Sequence, residues 1–142
     1  MKKVSVILLI LVFVLSMCLL CACGGRNFEE ELPGEWYVYH WFYHNTPNGE
    51  DGFYPDDECH FYIFDKEGNV TVKKGAKIDT AETISTGKYN FTQKDTIAVQ
   101  FSDNSTKTFQ LIPSGSHKEQ IHLVDLANHY AETLQPMSTW SK

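Results

Sequence analysis

The chain has 142 residues, of which 12 are Lys or Arg and 18 are Asp or Glu, so its formal net charge is −6 at pH 7. This acidic balance argues against nucleic acid as a partner, because binding phosphate requires a basic footprint. It also offers no polybasic patch that would attract an anionic lipid surface.

The first 22 residues have the layout of a secretory signal peptide. Lys2 and Lys3 precede an almost unbroken apolar run over residues 4–20, and the small residue Ala22 stands directly before Cys23. This ending resembles a bacterial lipobox. The resemblance implies cleavage after Ala22, a diacylglycerol thioether on the Cys23 sulfur, and a new N-terminus acylated with a chain such as palmitate.

Two alternatives to processing at Cys23 remain open. The apolar run is at the lower length limit for an uncleaved membrane anchor, and Cys18 or Cys21 could be the acceptor instead. All of these place the rest of the chain outside the cytoplasm. We therefore expect a cell-envelope lipoprotein, anchored in the lipid bilayer on its extracytoplasmic face. If the host has an outer membrane, Gly24 after the acylated cysteine favours that membrane.

The predicted mature chain consists of a lipidated tether over residues 23–31 and one domain over residues 32–142. Without residues 1–22 it has 120 residues, 10 of them basic and 18 acidic, for a net charge of −8. That length suits a single domain with a modest core. Apart from Cys23, its one cysteine is Cys59, so stability must come from packing and not from a disulfide. Cys59 is expected to be a buried core residue, because His60 beside it points to the opposite face of a strand.

Alternating apolar residues and frequent turn signals predict eight strands and no convincing helix in this domain. Most connections have two to six residues, which makes neighbouring strands antiparallel. The fold class is therefore all-β, and the chain is expected to form an antiparallel, eight-stranded up-and-down meander barrel, with a two-sheet β-sandwich as the alternative. The predicted strands cover residues 35–44, 58–65, 69–74, 83–92, 96–102, 106–112, 120–125 and 129–137.

The opening of the domain, Leu32 followed by Gly34 and Trp36, resembles the Gly-x-Trp start of the calycin group. This group comprises the lipocalins and their bacterial lipocalin-like relatives, and the resemblance covers residues 32–137. It implies that Trp36 packs across the closed end of the barrel. It also implies that the loop over residues 45–57 forms a lid over the open end.

The function that we expect is non-catalytic binding, with a small apolar ligand held in the barrel. If alternation continues along the first strand and the Trp36 face is internal, that face lines the cavity. The predicted ligand-binding residues are Val38, His40, Phe42, Tyr62 and Phe64.

The alternative function is a protein-binding module, such as an envelope protease inhibitor or a lysozyme inhibitor. It would use an acidic loop over residues 45–58 or an aromatic stripe formed by Tyr37, Tyr39, Trp41 and Tyr43. The stripe could instead be covered by the chain ends, or form the inner face. The acidic loop lacks the spacing of a calcium-binding loop and is expected to be a solvated lid.

Three histidines offer a possible zinc site. If the loop over residues 45–57 closes a simple hairpin, His60 lies diagonal to His40 and His44 on one face of the sheet. In the other interpretation these histidines are solvated separately near the open end. No other cofactor is indicated. The sequence contains no nucleophile elbow, metalloprotease motif or phosphate-binding loop, so we expect no enzymatic activity.

Overall fold

The computed structural model describes residues 25–45 and 49–140. The predicted signal peptide, residues 1–22, and the predicted lipidation site, Cys23, lie outside the described residues. Within those residues, no helix has both the length and the apolar character needed to cross a membrane.

The regular secondary structure of the described residues is almost entirely strand. It has one short helix, α1 (Phe28–Glu31), and a final 3₁₀ turn (Met137–Thr139). The strands are β1 (Gly34–Val38), β2 (His40–Tyr43), β3 (Asp51–Phe53), β4 (Cys59–Phe64), β5 (Asn69–Gly75), β6 (Glu82–Gln93), β7 (Thr96–Phe101), β8 (Thr106–Pro113), β9 (Ile121–Asp125) and β10 (Tyr130–Pro136).

Eight of these strands form a closed antiparallel barrel. β1 pairs with β4, each strand from β4 to β10 pairs with the next, and β10 returns to β1 through the pair Trp36↔Pro136. From β4 to β10 the connections are short, so the chain simply runs up and down around the barrel. β1 is joined to β4 by a longer segment that contains β2 and β3. The predicted fold class, an eight-stranded meander barrel in preference to a sandwich, is confirmed.

The beginning of the barrel differs from the prediction of one strand over residues 35–44. The structure divides this stretch at Tyr39 into β1 and β2, and the following loop contains the additional strand β3. β1 pairs with β4 through Val38↔His60, whereas a simple hairpin would place residue 60 near residue 42. β2 instead lies between β10 and β3.

A β-bulge separates β1 from β2. Tyr37 pairs with Gln135 but Trp41 pairs with Glu132, so the three residues 38–40 lie opposite only two residues of β10. One extra residue reverses the alternation of side chains beyond it. Beyond the bulge, Trp41 therefore faces the same side of the sheet as Glu132.

The lower part of the barrel interior is filled with apolar side chains. Trp36, only 5 % exposed, lies at the closed end, as the resemblance implied, and its indole Nε1 donates a hydrogen bond to the Leu32 carbonyl at 2.8 Å. Arg26 connects the start of the domain to the closed end, because its Nη1 donates a hydrogen bond to the Gln120 carbonyl. The buried residues of this core are Phe28, Leu32, Trp36, Val38, Phe64, Val70, Val72, Ile97, Val99, Phe109, Leu111, Ile121, Leu123 and Leu134.

A second, smaller core lies outside the barrel wall. Tyr37, Cys59 and Phe61 are buried there beneath the C-terminal turn. Trp140 contacts Tyr37 edge-on, with ring centroids 4.3 Å apart. Cys59 is a buried core residue, as the sequence indicated, and its thiol lies 3.8 Å from the Pro55 carbonyl oxygen.

Replacing Trp36 tests how much the closed end contributes to stability. Trp36→Ala is expected to lower the free energy of unfolding by about 3–5 kcal/mol, because it removes a buried indole and leaves the buried Leu32 carbonyl without its donor. The matched control, Phe53→Ala, removes an aromatic ring that is 67 % exposed, and should cost less than about 1 kcal/mol. Urea unfolding measures both, and similar losses would contradict this account.

Candidate ligand site at the mouth of the barrel

The end of the barrel opposite α1 opens into a cavity of about 430 Å³. Its walls come from β4 to β10 and from the turn over residues 102–105. One part of the wall is apolar and consists of Val72, Ile84, Phe101, Phe109 and Leu123. The other part is polar or charged and consists of Tyr54, His60, Tyr62, Ser85, Asp103, Ser105, Lys107, Asp125, Tyr130 and Glu132.

A buried carboxylate, Glu132 on β10, organises the polar wall. It is 5 % exposed and accepts three hydrogen bonds from side chains. The Tyr54 hydroxyl donates to its Oε1 at 2.8 Å, and His60 Nδ1 lies 2.7 Å from the same oxygen. The Tyr62 hydroxyl donates to Oε2. These donors replace water around a charge whose burial is otherwise costly.

The hydrogen bonds keep Glu132 ionised. Burial alone acts to raise the pKa of this carboxyl, but the bond and charge of His60, with the hydroxyls of Tyr62 and Tyr54, outweigh burial. The pKa of Glu132 therefore lies below its ordinary value, so the group is a carboxylate at neutral pH. Conversely, burial and the charge of Glu132 raise the pKa of both Tyr54 and Tyr62, which keeps their hydroxyl protons in place.

Tyr130 extends this network toward the open end. Its hydroxyl contacts that of Tyr54, whose single proton is directed to the Glu132 carboxylate because a charged oxygen is the stronger acceptor. Tyr130 is therefore the donor to Tyr54. Burial is the main cause that raises the pKa of Tyr130 to about 12, so this proton is also retained.

The β2–β3 hairpin brings Tyr54 to the mouth. β3 pairs with β2 through Trp41↔Gly52, and the Tyr54 amide donates to the Tyr39 carbonyl at 2.6 Å. Gly52 is required by close contact, because a Cβ at that position would lie 2.7 Å from the Trp41 ring. The Trp41 indole in turn stacks on Tyr130, with centroids 6.1 Å apart, so the hairpin supports the aromatic rim of the cavity.

An ion pair lies on the neighbouring strands β8 and β9. Lys107 Nζ is 3.2 Å from Asp125 Oδ2, and Asp125 also accepts hydrogen bonds from the amides of Ala127 and Asn128. Burial acts to raise the pKa of Asp125, but the bonds from Asn128, Lys107 and Ala127 lower it further than burial raises it. Asp125 therefore holds both the turn between β9 and β10 and the Lys107 ammonium.

The five predicted ligand-binding residues are not brought together. Tyr62 lines the cavity, whereas Val38 and Phe64 are buried in the filled core below it. His40 and Phe42 lie outside the barrel, because the bulge reverses the side they face. His40 Nδ1 is 3.2 Å from Thr133 Oγ1, and Phe42 packs on His122. The prediction that Val38, His40 and Phe42 share an inner face is therefore wrong.

The three predicted metal ligands also lie apart. His60 faces Glu132 inside the barrel, whereas His40 and His44 are near Phe42 on the outer side. The prediction that these three histidines converge is therefore wrong, because the bulge reverses the side of the sheet that His40 and His44 face. The described part of the chain holds no group of three or more His, Cys, Asp or Glu side chains arranged to hold a metal ion.

The aromatic stripe is divided between several environments. Tyr37 is buried beneath Trp140, and Tyr39 stacks on Phe53 on the outer wall. Trp41 and Tyr43 pack against Tyr130 on the side of the mouth. The interpretation that the chain ends cover this stripe therefore holds for Tyr37 and in part for Tyr39, whereas Trp41 and Tyr43 belong to the inner face.

Sequence reasoning missed the central residues of the site. Glu132 could have been recognised, because it alternates with Leu134 in a strand whose inner positions are otherwise apolar. Tyr54 could not, since its position depends on β3 and on the bulge. Neither β3 nor the bulge can be recognised from neighbouring residues, because nearly every residue around the bulge is aromatic.

Comparison with models of known protein families gives no match to this chain, and curated proteins include no similar sequence. The geometry of the site is therefore the observation that bears on function.

Removing one donor from Glu132 should destabilise the domain more than removing a similar tyrosine hydroxyl elsewhere. Tyr62→Phe takes a hydrogen bond from a buried carboxylate and is expected to cost about 1.5–3 kcal/mol. The control is Tyr89→Phe, whose hydroxyl donates to the neutral Asp65 carbonyl at 2.6 Å, with an expected cost of about 0.5–1.5 kcal/mol. Urea unfolding should rank them in this order, and the reverse order would contradict an ionised Glu132.

Proposed function

We propose that this protein is a membrane-anchored, extracytoplasmic lipoprotein that binds a small ligand in the mouth of its barrel without catalysing a reaction. The observation that carries the proposal is the cavity of about 430 Å³, which combines an apolar wall with the Glu132 network. Ligand sites typically have about 300–1,000 Å³ and join an apolar lining to a few positioned polar groups.

Volume alone does not single out the mouth cavity. Clefts of about 360 and 520 Å³ lie on the outer wall, beside Trp140 and beside the loop over residues 116–120. What favours the mouth is its chemistry, because a buried charge costs free energy that a purely structural core would avoid. The lower half of the barrel is already closed by apolar packing, so the Glu132 network is not needed to fill it.

The first experiment is mass spectrometry of the acylated protein purified gently from its host. A retained small molecule of a size that fits 430 Å³ supports the proposal. Protein recovered without any bound molecule, and with no increase in melting temperature across a diverse small-molecule library, would overturn it.

A pair of neighbouring substitutions on β6 tests where the ligand binds. Ser85 lines the mouth cavity, whereas Thr86 is exposed on the outer wall. Ser85→Trp is expected to occupy the cavity and weaken binding at least about tenfold, and Thr86→Trp to leave affinity within about twofold. Calorimetric titration with the retained molecule measures both. Equal affinities of the two variants would place the site elsewhere.

The membrane anchor is tested at its predicted acceptor. Cys23→Ser is expected to abolish incorporation of labelled palmitate and to release the protein from the membrane fraction, since anionic lipid would not retain a mature chain with a net charge of −8. Cys21→Ser is the matched control and should remain acylated. Labelling that persists in Cys23→Ser but is lost in Cys21→Ser would move the acceptor to Cys21.

A second candidate function is favoured by one observation on the outer wall. Phe53 is 67 % exposed and stacks on Tyr39, beside a cleft of about 360 Å³. An exposed aromatic ring next to a cleft is typical of a protein-binding surface. Under this alternative, Phe53→Ser would reduce capture of an envelope protein partner while leaving ligand binding in the mouth unchanged.

A further inference from the structure

Most hydrogen-bond donors in the mouth are already used within the protein. What remains available to a ligand is mainly acceptors. The protons of Tyr54 and Tyr62 are directed to Glu132, that of Tyr130 is directed to Tyr54, and His60 Nδ1 also faces Glu132. A carboxylate can accept about four hydrogen bonds, and the described residues supply three to this one. The unused capacity of the network therefore suits a group that donates.

The charge of the lining favours the same kind of group. Asp103, Asp125 and Glu132 face a single ammonium, that of Lys107, which is paired with Asp125. Hydrogen bonds from Ser105 keep the pKa of Asp103 low, so it too is ionised at neutral pH. The lining therefore has a net negative charge whether His60 is protonated or neutral. The predicted mature chain, at −8, adds to this potential.

Tyrosine hydroxyls contact the carboxylate, and their rings belong to the lining of the cavity. Tyr54 and Tyr62 both contact Glu132, and Tyr130, stacked on Trp41, continues this surface to the rim. The faces of such rings attract cations, and the attraction strengthens where water is excluded. The apolar part of the lining, which includes Phe101 and Leu123, would accommodate a hydrocarbon body.

We propose that the mouth cavity selects small molecules that carry a cationic amine on an apolar body. The ammonium group would donate to Glu132 among the tyrosine rings, and the body would lie along the apolar wall. This inference rests on the proposed function, because it names the class of ligand for the same cavity. A carboxylate or phosphate ligand would instead be repelled by the net negative lining.

The test compares three probes of similar size and different charge: 2-phenylethylamine, 2-phenylethanol and 3-phenylpropanoate. Each is titrated calorimetrically into the full acylated protein in a non-ionic detergent at pH 7 and low salt. The amine is expected to bind at least about tenfold more tightly than the alcohol, with the carboxylate weakest, since a charge-assisted bond in a buried site is worth that much. Adding salt should weaken the amine and leave the alcohol unchanged.

Variants assign the selectivity to one residue. Glu132→Gln keeps the shape of the side chain and removes its charge, so the amine and the alcohol should then bind within about twofold of each other. Glu67→Gln makes the same charge change on the exposed turn between β4 and β5, at the other end of the barrel, and should retain the selectivity. If Glu132→Gln does not fold, the probe ranking and salt response of the wild type still decide the question.

The outcomes separate the two proposals. If the alcohol or the carboxylate binds wild-type protein as tightly as the amine, the preference for cations is overturned while ligand binding in the mouth stands. The same holds if Glu67→Gln abolishes the selectivity as fully as Glu132→Gln. If none of the three probes binds at up to about 5 mM, and no molecule is retained on purification, both proposals are overturned.

Discussion

The mouth of the barrel depends on the one extra residue between β1 and β2. Without it, β2 would continue the alternation of β1 and direct His40 and Phe42 toward the interior. With it, the side of β2 that faces Glu132 carries Trp41 and Tyr43. β2 also pairs with β3, and this hairpin delivers the Tyr54 hydroxyl to the carboxylate. A single unpaired position thus sets both the aromatic rim and one of the three donors to Glu132.

The barrel interior is divided into halves with different physical roles. The half near α1 is filled with aliphatic and aromatic side chains, and its contribution to stability comes from apolar burial. The half near the mouth contains a buried carboxylate and its donors. Such a network contributes less net stability than apolar residues of the same volume, because its desolvation cost must be offset by its hydrogen bonds. The apolar core and the proposed ligand site are therefore located at opposite ends of one barrel.

Much of the fold could be predicted from the sequence because its signals are local. Short turns such as Lys66-Glu67-Gly68, and clean alternation in β5 and β6, give strand positions without any tertiary information. The position of Trp36 followed from the Gly-x-Trp resemblance. These features depend on neighbouring residues and on a motif, so they remained reliable.

The site could not be predicted to the same degree, because its members meet only through the closed sheet. Tyr54, His60 and Glu132 come from three separate parts of the chain, and their contact depends on the pairing Val38↔His60 and on the bulge. Every residue of the segment around the bulge is aromatic, histidine or valine, so neither face was marked as internal. A one-residue error there was enough to place His40 and His44 on the same face as His60, whereas in the structure both face outward.

The hydrogen bond of Arg26 at the closed end determines from which end of the barrel the N-terminal segment leaves. Arg26 and Phe28 lie at the base of the barrel, and Gly25 lies beside Lys94, in the turn between β6 and β7 at the same end. The chain therefore leaves the barrel toward its N-terminus from the end opposite the mouth. With the proposed acyl group on Cys23, only two residues earlier than Gly25, the base of the barrel would rest on the bilayer and the opening would point away from it. Molecules would then reach Glu132 from the surrounding water and not by diffusing sideways out of the lipid.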